Sequence, residues 1–172
     1  MAGLIHIYCG DGKGKTTASV GLAIRAAGTG KQVIFTQFFK DGSSGEVGVL
    51  RQVSGIRTLH CTKRYGLYFR MTEEEKKLAQ RDYTALLEQA LRLARDADLL
   101  ILDEVISACN HGTVPQSMLE EFLDRKPEGL EVVMTGRNPA EALLERADYV
   151  TEMKKIKHPF DQGIPARKGV EF

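Results

Sequence analysis

The chain has 172 residues and a formal charge of +1, from 24 Lys+Arg against 23 Asp+Glu. That length suits one domain with a real core, and the even charge gives no electrostatic case for nucleic acid as the main partner. No apolar run approaches membrane-spanning length, and no charged-then-apolar leader pattern opens the sequence, so neither a membrane partner nor a signal peptide is expected.

Leu4 to Cys9 is an apolar run that reads as a first buried strand. Gly10-Asp11-Gly12-Lys13-Gly14-Lys15-Thr16-Thr17 follows, and Lys15 to Ala27 reads as a helix with Val20, Ala23, Ile24 and Ala27 on its apolar face. A glycine loop between strand and helix, ending in Gly-Lys-Thr, is the context a phosphate-binding loop requires. Glycines let successive N–H groups turn toward an anion, and the helix adds its positive end. Lys15 is expected to reach the phosphates, and the Thr16 hydroxyl to ligate magnesium. The loop departs from the usual spacing: Cys9 stands where the first glycine is expected, Gly10 comes one step later, and Lys13 is an additional cation.

Gly28-Thr29-Gly30 ends this helix, and Lys31 to Phe38 reads as a second strand. The glycine- and serine-rich stretch from Lys40 to Gly48 reads as a loop. Ser54 to His60 is a candidate third strand. Cys61 to Met71 crowds Lys63, Arg64, Tyr65, Tyr68, Phe69 and Arg70 together, which suits either a lid over a flat ligand or a satellite cluster under a loop. Thr72 and Glu75 form a capping box at the start of a long helix whose buried stripe is Tyr83, Leu86, Leu87, Ala90 and Ala94.

Asp98 to Asp103, Asp-Leu-Leu-Ile-Leu-Asp, reads as a buried strand with an acid at its tip, followed by Glu104. In open α/β sheets ligands bind at such tips, and there Asp103 and Glu104 are candidate metal carboxylates. Pro115 to Leu123 reads as a helix. Leu130 to Met134 reads as a strand whose tip carries Thr135-Gly136-Arg137. Asn138, Pro139 and Glu141 then suggest a cap, an N1 proline and an N3 acid for one more helix. Arg137 thereby reaches the same edge as the loop and can pair with phosphate. Asp148 to Thr151 is a possible last strand, and the tail from about residue 152 has no helical period. Cys9, Cys61 and Cys109 are scattered, with no Cys-x-x-Cys pair, so a reducing cytoplasm is expected.

Strands alternating with helices argue one domain over residues 1–172, an α/β fold with a mostly parallel central sheet covered on both faces. With the phosphate loop, this is the three-layer, RecA-like P-loop NTPase architecture.

The chain resembles the P-loop type of bacterial ATP:corrinoid adenosyltransferase nearly end to end. The resemblance rests on the shortened loop with its Lys13, on Gln37-Phe38-Phe39-Lys40 and Gly45-Glu46, on Leu102-Asp103-Glu104, and on Thr135-Gly136-Arg137. It also includes Lys157-His158-Pro159-Phe160-Asp161-Gln162-Gly163. It implies ATP as co-substrate, magnesium or manganese, and a cobalt(I) corrinoid such as cob(I)alamin or cob(I)yrinic acid a,c-diamide. The adenosyl group passes to cobalt and triphosphate leaves. Gly10 to Thr17 would bind the nucleotide, Lys15 and Arg137 would act on the phosphates with Lys40 in support, and Thr16, Glu104 and Asp103 would hold the metal. Leu67 and Phe69 stand where the family carries aromatic residues, including a tryptophan, that displace the lower corrinoid ligand; this chain has no tryptophan. A homodimer and an electron-donating flavoprotein partner are further implications. Two other readings remain: a P-loop kinase or ATPase transferring the γ-phosphate to a small molecule or water, and a nucleotide switch that binds nucleic acid.

Overall fold

The computed structural model describes residues 2–66 and 68–171. Its sheet has six strands, β1 (Ile5–Cys9), β2 (Val33–Gln37), β3 (Ile56–His60), β4 (Leu99–Asp103), β5 (Glu131–Thr135) and β6 (Tyr149–Glu152). They lie in the order β3-β2-β4-β5-β1-β6, every neighbouring pair parallel. Parallel strands need crossovers, and these supply the helices: α1 (Lys15–Ala27), α2 (Gly45–Leu50), α3 (Glu73–Leu93), α4 (Val105–Asn110), α5 (Gln116–Asp124) and α6 (Glu141–Leu144).

Side chains alternate across the sheet and fill two cores. Val33, Phe35, Leu99, Ile101 and Val133 pack with Ala23 and Ala26 of α1 and Leu50 of α2 on one face. Ile34, Leu100, Leu102, Val132 and Met134 pack on the other, against α3, α4, α5 and α6. This is the expected three-layer arrangement. The α3 stripe is buried as expected, with Tyr83, Leu86, Leu87 and Ala90 inward, and Ala94 completing it just beyond. Each fully buried leucine there contributes about 1.5–3 kcal/mol of apolar transfer energy. The capping box at Thr72 and Glu75 is present in both directions.

Three local expectations need correction. The stretch 40–48 is not all loop, because α2 begins at Gly45. Val47 and Leu50, three residues apart, bury one side of this short helix despite its glycines. The face of α1 is rotated from the expected one. Ser19, Ala23 and Ala26 are buried while Ile24 is 41% exposed, since small residues let the helix approach the sheet closely. Asn138 does not cap α6, which starts at Glu141 with Ala140 before it. Asn138 instead takes a left-handed φ of 50°, and its carbonyl accepts from the Asn110 amide.

Candidate active site

The tips of β1, β2, β4 and β5 are Cys9, Gln37, Asp103 and Thr135. The register sets Gln37 opposite Asp103, and carries Thr135 to the other side of it, one residue beyond the Leu102–Met134 pair. Because the sheet is parallel, the loop after β1 emerges at the same edge.

Gly14 turns that loop into α1 at φ 119°, a conformation that strains any residue with a side chain. Lys15 then opens the helix. It is 7% exposed, and its ammonium donates to the Gly10 carbonyl at 2.8 Å and the Gly12 carbonyl at 2.9 Å. Burial pushes its pKa below the usual lysine value, while the Glu104 carboxylate pulls it back up. The chain leaving β6 fastens the first half of the loop. The Gly12 N–H donates to the Met153 carbonyl at 2.6 Å, and the Lys155 N–H to the Asp11 carboxylate at 3.0 Å.

A cleft of about 740 Å³ opens over this loop. Asp11, Gly12, Lys13, Gly14, Lys15, Thr16 and Thr17 all line it, as do Lys40, Glu104 and Arg137. Gly10 does not. It lies behind the wall, with its carbonyl holding Lys15.

The expected acid pair divides into two roles. Asp103 is 0% exposed and accepts from three side chains: Thr135 Oγ1 at 2.8 Å, Thr16 Oγ1 at 3.0 Å and Gln37 Nε2 at 3.1 Å. Burial drives its pKa up, against the hydrogen bonds from Gln37 and Thr135. Asp103 therefore sits behind the cleft and holds Thr16, while Glu104 faces the cleft. Glu104 takes a left-handed backbone, φ 62° and ψ 16°, uncommon for a residue with a side chain. Its N–H donates to Thr135 Oγ1 at 2.8 Å, and its carboxylate accepts from the Ser107 hydroxyl at 2.6 Å. Gly136 lets β5 pass tightly against α4, since a side chain there would collide with Ile106 and Ser107. Arg137 is thereby delivered to the cleft.

Among the described residues, no three His, Cys, Asp or Glu side chains cluster to hold a metal by themselves. The Thr16 hydroxyl and the Glu104 carboxylate are nevertheless hard oxygen donors lining the cleft. Magnesium takes such a small protein set when phosphate oxygens complete its shell, so the residues present fit the metal.

A second cavity, of about 950 Å³, adjoins the first and shares Lys40, Gly45 and Gly169 with it. Phe39, Tyr65, Tyr68, Phe69 and Tyr83 give it aromatic walls. His111 stands between the ring edges of Phe39 and Tyr68, with centroids at 5.6 and 5.1 Å. Tyr65 is held by its hydroxyl, which donates to Asp82 at 2.5 Å. Burial, followed by the Asp82 contact, raises the Tyr65 pKa. The aromatic and basic segment thus lines a cavity. Phe69 is 75% exposed there, and Leu67 lies outside the described residues.

Several site residues were given no role in the sequence reading, though Gln37, Glu46, Thr135 and His158 stood in its motifs. Glu46, His158 and Glu171 line the cleft, and Lys168 lines the second cavity. Gln37 and Thr135 organise Asp103. The available signal for these last two was a polar residue closing each of two apolar strands.

The family described as ATP:corrinoid adenosyltransferase BtuR/CobO/CobP matches residues 1–172. The chain belongs to this family. It is 36% identical over 174 residues to a corrinoid adenosyltransferase of Sinorhizobium sp, covering 99% of this chain and 80% of that one. Corrinoid adenosyltransferases of Pseudomonas aeruginosa and Escherichia coli K12 are each 32% identical, covering 99% of this chain and 84% and 86% of theirs. As a corrinoid adenosyltransferase, the protein is an alkyl-transferring enzyme that moves the adenosyl group of ATP to a corrinoid. Among solved structures, it is similar to EssC (ATPases 2 and 3) of Geobacillus thermodenitrificans, with TM-score 0.52 and 14% identity over 97% of this chain. EccC (ATPases 2 and 3) of Thermomonospora curvata gives TM-score 0.54 and 15% identity over 95%. The chain spans about a third of those two proteins, 35% and 34%. At such identities the likeness concerns the fold, an α/β P-loop NTPase fold.

Proposed function

We propose that the loop cleft binds the triphosphate of ATP and the aromatic cavity binds the corrinoid, so that adenosyl transfer occurs where the two meet. The observation that carries this is their common wall of Lys40, Gly45 and Gly169. In the reaction, cobalt(I) supplies an electron pair to the 5′ carbon of ATP, a Co–C bond forms, and the C–O bond to the triphosphate breaks. The bond's electrons leave on the triphosphate oxygen.

Cobalt(I) is itself the nucleophile, so the protein has no attacking side chain to activate. Its task is to orient ATP and stabilise the charge of the leaving group. The N–H groups from Lys13 to Thr17 and the Lys15 ammonium suit the triphosphate, with Arg137 and Lys40 as flanking cations. Asp103 keeps the Thr16 hydroxyl in place from behind. Thr16 and Glu104 would hold magnesium or manganese, which supplies positive charge to the triphosphate. Residues 1–172 work in this reading as one domain. A homodimer, an electron-donating flavoprotein, a cytoplasmic location and a place in cobalamin biosynthesis follow from the resemblance to the family. No helix among the described residues is long and apolar enough to cross a membrane.

The test is an anaerobic incubation with MgATP and chemically reduced cob(I)alamin. Loss of the cobalt(I) absorption, growth of a light-sensitive alkyl-cobalt species and release of intact triphosphate are expected. ADP as product, with the cobalt spectrum unchanged, would indicate γ-phosphate transfer instead.

A further inference from the structure

The second cavity is charged out of proportion to the chain. Lys40, Lys63, Arg64 and Lys168 line it, against the single acid Asp41, although the whole sequence carries a formal charge of only +1. Two of these cations are already in ion pairs. Lys40 lies 3.5 Å from Glu46, and Lys63 lies 3.1 Å from Asp82. The Asp41 carboxylate accepts from the Ser43 N–H at 3.1 Å and its hydroxyl at 2.5 Å. Among the described residues, no ion pair engages Arg64 or Lys168. Both are exposed to solvent.

Arg64 belongs to the segment before α3, and Lys168 to the tail. Two separate parts of the chain thus bring cations that are in no ion pair to one cavity, with Arg64 near enough to Asp41 for their charges to interact. The ring of a corrinoid is apolar and flat enough for the aromatic walls. Its rim carries side chains that are either carboxylates or neutral amides. Cations at a cavity mouth attract the first kind over the second and raise its encounter rate.

Taking the cavity as the corrinoid site, as proposed above, we infer that it discriminates between corrinoids by peripheral charge. Arg64 and Lys168 favour an acceptor that still carries carboxylates over a fully amidated one. Each contact is exposed, so each has a modest effect, up to about 5-fold in affinity at low salt. Screening removes most of that effect at high salt.

The experiment compares cobyrinic acid a,c-diamide with cobinamide, each reduced to cobalt(I) and supplied with MgATP. Neither carries a lower nucleotide, so the comparison turns on the rim. The expected kcat/KM ratio favours the carboxylated acceptor about 10-fold at low salt and falls toward one near 0.5 M salt. Arg64→Gln and Lys168→Gln should each lower the ratio about 3-fold through KM rather than kcat. Arg92→Gln, an exposed cation lining neither cavity, should leave it alone. Turnover of both acceptors with a ratio of one at low salt would overturn the inference. So would a ratio that neither substitution moves. Adenosylation of neither acceptor would overturn the function proposed above, and this inference with it.

Discussion

Asp103 shows how a strand-tip acid can organise a cleft without lining it. Its two oxygens are occupied by hydroxyl and amide donors from three other elements. Asp103→Asn would put an amide hydrogen where a donor already points. A loss of about 1–3 kcal/mol is expected, read from the urea midpoint, together with lower turnover as Thr16 loses its anchor. Lys15→Ala acts on the chemistry instead. Removing the cation should lower kcat about 10²–10³-fold, the scale for losing one preorganised charge stabiliser. The fold should survive, since the hydrogen bonds that Lys15 makes stay within its own loop. Unchanged turnover would remove Lys15 from the mechanism. The sequence displayed Lys15, Glu104 and Arg137 because each stands at a motif edge. It did not separate the roles of Asp103 and Glu104. That division depends on register, and on a left-handed residue at 104 that has no composition signal.

At the scale of elements, the lining segment before α3 hangs on Asp82. This carboxylate accepts from Tyr65 and pairs with Lys63 and Arg81. The Tyr65 hydrogen bond is the main cause that brings its pKa from 3.8 down to about 2, against its partial burial. A carboxylate depressed on folding stabilises the protein above its unfolded pKa and loses that contribution as pH falls through the folded value. The stability gap between the wild type and Asp82→Asn should therefore be constant above about pH 5 and shrink between about pH 4 and pH 2. A gap that stays the same across that window would exclude ionised Asp82 as the anchor. Phe69→Ala probes the same segment's function. Phe69 is exposed at the aromatic cavity and absent from the cleft over the glycine loop. Its loss should raise the corrinoid KM about 10-fold, roughly the 1–1.5 kcal/mol of an aromatic contact, and leave the ATP KM unchanged. A raised ATP KM would show that the segment serves the nucleotide instead. Where a strong cap stands, as at α3, the start of the element was legible in the sequence to the residue. α2 and α6 were not, because six and four residues give too little periodicity to outweigh glycines or an Asn-Pro pair.

At the scale of the molecule, the alternation of elements implied a parallel sheet, but strand order depends on which crossovers pass which strands. The chain goes from β1 over β5 and β4 to reach β2, and only β6 returns to the other side of β1. That return matters because it directs the tail back past the phosphate loop, where Met153 and Lys155 fasten Gly12 and Asp11. The tail's end then reaches both cavities. Ala166, Gly169, Val170 and Glu171 line the cleft, while Lys168 and Gly169 line the aromatic cavity. A segment without a helical period gave no hint of this, since its position depends on the body it lies against. Beyond Pro165 its bonds are local: Arg167 pairs with Glu171 at 2.9 Å, and the N–H groups of Val170 and Glu171 return to the Arg167 carbonyl. Nearly all of it is exposed. A variant ending at Pro165 should therefore fold, with a Tm within about 3 °C of the full chain, because little apolar area is lost from the core. Its KM values for ATP and for the corrinoid should both rise several-fold, since one short segment forms part of both walls. If only one KM moved, the tail would belong to a single substrate. If the variant unfolded instead, the tail would be part of the core, and its place at the cavities a by-product of stability.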